Sequence, residues 1–203
     1  MYFKREDFFA PLGYGGPNGS KMRQAIYLIN ESKKNNPKLE GIIGGTSLRS
    51  PQISMSSIIA KYYGLKAKQV IGATKPDTAL KHYNIEIANY FDAEFYITKV
   101  AYNPALQKKV KELLNTYKNY YYYLEYGITV DHKTHSEKEV ENFHRIGAEQ
   151  VKNIPNFIEN IIIPAGSCNS CISVLYGLAL YKPKSLKNVY LIGVGPNKIK
   201  YIE

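Results

Sequence analysis

Residues 161–178 read IIIPAGSCNSCISVLYGL, and their local pattern decides which kind of fold the chain can build. The apolar run at 161–163 has strand character. It breaks at Pro164 and passes through a turn of small residues, Ala165, Gly166, Ser167, Cys168, Asn169 and Ser170. Apolar residues then return at helical spacing through Leu175 and Leu178. Strand, tight turn and helix in that order form the repeating unit of a parallel α/β layer. The first N–H groups of such a helix lack intrahelical partners, and its dipole favours negative charge, so the turn is an anion cup. Gly166 lets an anion approach the backbone closely, and Ser167 and Ser170 add hydroxyl donors. Two other readings compete. Cys168 and Cys171 form a CxxC at a helix start, as in thiol oxidoreductases; alternatively the stretch is an ordinary turn with two half-buried cysteines.

Working outward, strands and helices alternate with short connections. A helix opens at Ser20, which is placed to cap it, and carries Met22, Ala25, Ile26 and Ile29 on one face before Pro37. Strands are expected at 41–44, 67–71, 94–100, 119–125 and 188–194, the last of them buried. Helices are expected from Pro51, with Ser50 as cap, over 76–90, from Pro104, and over 137–153. The fold class is therefore α/β, with parallel sheets flanked by helices. Lys21 falls in the first turn of its helix, where the dipole disfavours a cation and makes the neutral amine more available.

The 203 residues are enough for one domain or two small lobes, and the composition is that of a globular protein. No apolar run is long enough to span a membrane. The charged start, MYFKREDFF, lacks the apolar core of a secretion signal, and two cysteines fit a reducing cytoplasm. Formal net charge is +10, which attracts anions from phosphorylated small molecules to nucleic acid. The lysines are scattered along the chain. Asp131, His132 and His135 have metal-ligand chemistry, but no regular element fixes them and no further ligand cluster accompanies them, so no metal is expected.

Three stretches carry a resemblance to a known family. KREDFFAPLGYGGPNGSKMR, at 4–23, resembles the N-terminal signature of the fold type II pyridoxal 5′-phosphate (PLP) enzymes, the tryptophan synthase beta-like group. The branch it resembles is that of 1-aminocyclopropane-1-carboxylate (ACC) deaminase and D-cysteine desulfhydrase. GGTSLRSPQISMSSIIAKYYGL, at 44–65, is similar to the family's substrate-carboxylate stretch, and AGSCNSCISVLYGL, at 165–178, to its phosphate loop. The resemblance implies PLP joined to Lys21 as a Schiff base, with Lys21 as the catalytic base. It implies a phosphate held by Gly166, Ser167, Cys168, Asn169 and Ser170, and a substrate carboxylate held by Ser50 and Gln52. Ser20 and Pro51 stand where the family has asparagine. It further implies a two-lobed molecule, residues 1–45 with 151–203 as the larger PLP-binding lobe and 46–150 as a smaller inserted lobe. Family members continue past the strand matching NVYLIGV, so a form lacking part of the usual C-terminal region is expected.

The function expected is that of a cytoplasmic, homodimeric PLP-dependent lyase or deaminase of amino acid metabolism, acting on an amino acid or amino-acid-like substrate. Three alternatives stay open: a catalytically altered PLP- or phosphate-ligand-binding protein, a nucleic-acid-associated base-modification enzyme, and a CxxC thiol oxidoreductase.

Overall fold

The computed structural model describes residues 1–13, 19–73, 75–117, 120–130, 132–194 and 202. The glycine-rich turn at 14–18 and Asp131 lie outside the described residues. The chain divides into two compact units, one of residues 6–129 and one of residues 1–5 with 130–203. These boundaries differ from those expected from the sequence, because α1 (Lys21–Asn35) packs on α2 (Gln52–Tyr62) and shares its unit.

The unit of residues 6–129 is built on four parallel strands: β1 (Gly41–Ser47), β2 (Lys66–Gly72), β3 (Glu94–Thr98) and β4 (Tyr121–Tyr123), in the order β3-β2-β1-β4. Their register pairs Gly41 with Lys66 and Tyr121, and Lys68 with Glu94. Both middle strands are buried along nearly their whole length, although they carry the polar residues Thr46, Lys68 and Gln69 beside their apolar ones. Alternate residues serve opposite layers. Ile43 and Val70 meet Leu106 and Val110 of α5 (Asn103–Thr116), while Gln69 bonds Ser56 of α2 at 2.7 Å. Gly45 is where α5 comes closest: a Cβ there would sit 2.4 Å from Val110 Cγ2.

On the α5 side, the Lys68 ammonium lies 4.7 Å from the Tyr117 ring centroid and pairs with the Glu94 carboxylate. Burial pushes this ammonium down, but the bonds it donates to Glu94 and Tyr96 outweigh it and leave the Lys68 pKa raised. The expected helix over 76–90 is two helices, α3 (Pro76–Ala79) and α4 (Tyr83–Tyr90). His82 interrupts it by turning extended and accepting the Asn84 N–H on its ring nitrogen, a fresh cap.

The second unit holds α6 (Glu137–Ala148), β5 (Asn160–Ala165), α7 (Asn169–Tyr181) and β6 (Asn188–Gly193). A reciprocal box of Ser136 and Glu139 starts α6, and a 3₁₀ segment, Glu149–Asn153, ends it, replacing the last turn of the helix expected to 153. β5 and β6 pair in parallel across α7. Gly177 of α7 fits against Ala148 and Val151, where a Cβ would lie 2.8 Å from the Ala148 carbonyl oxygen. The burial expected for the last strand does not hold: Tyr190, Leu191 and Ile192 of β6 are exposed. Its apolar run matches that of a core strand, but α7 covers only part of the two-stranded sheet.

Candidate active site

Lys21 is the first residue of α1, as the sequence indicates. Ser20 does not cap this helix: it is already in helical conformation, and Gly19, at φ +143°, makes the bend into the helix instead. Two residues on, the Arg23 guanidinium stacks 3.4 Å from the Phe9 ring centroid and pairs with Glu6 at 2.6 Å. Glu6 and Phe9 thus tie the N-terminal arm to the helix start, a physical reason for the acidic and aromatic residues of KREDFF. Lys21 Nζ is half-buried and donates to the Gly127 carbonyl at 2.7 Å. Burial holds its pKa below the ordinary lysine value, so more of the amine is neutral than on an exposed lysine. Desolvation is thus the cause of the lowered pKa, where the sequence alone points to the helix dipole.

Gly127 belongs to the loop after β4. Its φ is +79°, and Ile128 follows at +54°, a left-handed position that a β-branched residue occupies only under strain. Gln52 holds this loop. Its Nε2 donates to the Glu125 carbonyl at 2.9 Å and the Leu124 carbonyl at 3.4 Å, while its Oε1 accepts the Gly127 N–H at 2.8 Å. Both amide hydrogens that Gln52 would offer a substrate carboxylate are therefore directed at backbone oxygens. Ser50 is half-buried and accepts the Gln52 N–H at 3.3 Å, acting as the cap of α2 that its position before Pro51 suggests. Thr46, at the C-terminal end of β1, has a buried hydroxyl with no hydrogen-bond partner among the described residues. In parallel sheets that end of the strands is where ligands bind.

The phosphate-loop residues lie in the other unit. β5 ends at Ala165, Gly166 and Ser167 are exposed, and Cys168 takes φ +67° to turn the chain into α7. The nearest atom to a Cβ built on Gly166 would be the Val194 carbonyl oxygen at 3.8 Å, so local packing does not demand glycine there. The turn leads into a 13-residue helix whose first N–H groups favour an anion. Cys168 and Cys171 are free and buried in a cluster with Ala165. Burial, then the neighbouring Cys168, pushes the Cys171 thiol up. His135 sits in a loop with its Nδ1 2.9 Å from the Thr134 hydroxyl, and no group of three metal-binding side chains occurs among the described residues. Nor is any helix among them long and apolar enough to cross a membrane.

Lys21 and Gln52 thus come together through Gly127 within one unit, and Gly166, Ser167, Cys168, Asn169 and Ser170 form the strand-to-helix turn of the other. The sequence reading missed Gly127 and the 124–128 loop, whose one local signal is a glycine between polar and β-branched residues. It also missed the Glu6, Phe9 and Arg23 cluster, although all three residues lie in the quoted motif.

The chain has the fold of the fold type II PLP-dependent enzymes. An ACC deaminase homologue superposes over 98% of the chain and 57% of its own length, with TM-score 0.71 and 18% identity. The processed form of threonine deaminase isoform 2 from Solanum lycopersicum covers 95% of the chain and 45% of its own length, with TM-score 0.63 and 18% identity. In sequence, the chain is 47% identical over 208 residues to the O-seryl-dTMP PLP-dependent decarboxylase of Salmonella phage ViI. That match takes in 100% of this chain and 49% of the phage protein, so the chain spans about half the length of its curated relative. No family model matches.

Proposed function

We propose that the chain binds PLP at Lys21 and takes part in decarboxylating an amino acid carried on a nucleotide, the seryl group of O-seryl-dTMP or a close analogue. The observation that carries this reading is the 47% identity, along the whole chain, with a protein of that name. The formal charge of +10 supports a substrate that brings its own phosphate. The lyase or deaminase expected from the resemblance shares the cofactor and differs in which bond at Cα breaks. The nucleotide-linked amino acid meets the base-modification alternative halfway, since its reacting centre is an amino acid and its handle a nucleotide. The homodimer is proposed with it.

When bound, PLP supplies a ring that accepts the electron pair left at Cα as the carboxylate departs as CO2. The remaining roles fall to the chain. Lys21 Nζ, with its lowered pKa, is the amine to which the cofactor attaches and, once free, the group that carries a proton to Cα. The Gly127 carbonyl orients that amine. Gly166, Ser167 and Ser170, at the N-terminus of α7, receive the cofactor's phosphate.

The test is incubation of the PLP-loaded protein with O-seryl-dTMP. The expected result is CO2 release with a nucleotide product lighter by that mass, both absent in Lys21→Ala. Ammonia release, or a product that keeps its carboxylate with inverted configuration, would replace decarboxylation by elimination or racemisation. Failure to retain PLP at all would overturn the reading.

A further inference from the structure

We infer that Gln52 is a positioning residue for Lys21, acting through a strained loop, rather than a ligand of the substrate carboxylate. The chain of contacts is continuous. Gln52 is 5% exposed and spends its whole amide on the loop, donating to Leu124 and Glu125 and accepting from Gly127. The Glu125 carbonyl that it engages also accepts the Ile128 N–H at 3.0 Å. That N–H and the Gly127 carbonyl belong to the same peptide plane. Fixing one end of the plane aims the other, and the other end holds Lys21 Nζ at 2.7 Å.

The backbone shows that this aim is imposed. Two successive left-handed residues, the second a buried isoleucine, persist only where surrounding contacts over-determine them. The anchors are the Leu124 N–H on the Ile43 carbonyl at 2.9 Å, the buried Leu124 and Ile128 side chains, and Gln52. Gln52 binds on both sides of the turn, and the Thr129 hydroxyl also reaches back to Glu125 and to the Tyr126 carbonyl. A carbonyl acceptor takes one hydrogen of the amine in either protonation state, so it sets direction without consuming the lone pair of the neutral form. The loop thereby gives Lys21 a fixed resting orientation.

The inference deepens the proposed role of Lys21, and its test needs no cofactor. Acylation of individual lysines by acetic anhydride, read by mass spectrometry on the PLP-free chain, reports each amine separately. Gln52→Glu keeps the acceptor for Gly127 and loses both donors. Gly127→Ala disturbs the left-handed turn from the loop's side, with the Gln52 amide itself unchanged. In both variants Lys21 should acylate about tenfold faster, the equilibrium weight of one hydrogen bond, while buried Lys68 of the same unit stays slow. Amide exchange at Gly127 and Ile128 should quicken in parallel. An unchanged Lys21 rate alongside faster exchange of these amides would overturn the inference, because the loop would then move without the lysine. An equal rise at Lys68 would also overturn it, by marking general loosening. Because the readout is taken without PLP, failure of the chain to bind PLP would sink the proposed function and leave this result standing.

Discussion

The two parallel sheets of this chain are written in similar residues and sit in opposite environments. β1 and β2 carry Ile42, Ile43, Val70 and Ile71, all with at most 1% exposure, between α2 and α5. β5 and β6 carry Ile162, Leu191 and Ile192, exposed by 66%, 37% and 53%. Apolar strand content therefore reports that a segment is a strand to be covered, and says nothing of what covers it. In the first sheet the chain brings its own helices to both faces. In the second, these positions stay exposed on strands that pair in parallel.

The largest expected effect follows from that contrast. Ile43→Ala should cost about 2–5 kcal/mol in chemical denaturation, the range for emptying a packed core site. Ile192→Ala should stay within about 0.5 kcal/mol, as for an exposed position. Comparable losses at the two sites would break the comparison. The helical side of the second unit sharpens it, since that side is tightly packed. Gly177→Ala drives a Cβ toward the Ala148 carbonyl and Val151, and should cost about 1–3 kcal/mol by overpacking, measured by thermal unfolding. A neutral result would mean that α6 and α7 are as loosely seated as the sheet is covered.

The smallest effect is a pH dependence confined to the second unit. His144 of α6 is buried, its Nδ1 2.9 Å from the Ser173 hydroxyl of α7, and burial first, then His132, holds its pKa below the ordinary 6.5. A lowered histidine pKa means that the unfolded chain binds the proton more readily. The associated stability is thus present above about pH 6.5 and is lost as pH falls toward the folded-state value. Along α6 and α7, amide protection corrected for the intrinsic pH dependence of exchange should fall between pH 7 and 5 more than along α1 and α2. His144→Gln should flatten that difference.

The sequence made much of this legible, for definable reasons. Strand and helix order followed from apolar periodicity and from Pro51, Pro76 and Pro104, which mark helix starts. Lys21 was legible because a lysine in a first helical turn is chemically conspicuous and its flanking motif resembles a family signature. Gln52 was seen, but its role depends on a loop 72 to 75 residues away in sequence that no local pattern connects to it. The break at His82 turned on one side chain capping its own backbone, which competes with helix on nearly even terms. The exposure of β6 is a tertiary fact that an apolar run cannot encode.

The central claim is that Lys21, held by the Gly127 carbonyl, is the amine that carries PLP. It is tested most directly by treating the protein with PLP, reducing with borohydride and mapping the pyridoxyl group by peptide mass spectrometry. The account predicts a single major label on the peptide bearing Lys21, absent in Lys21→Ala. A label on another lysine, spread over the exposed lysines, or missing altogether would contradict it.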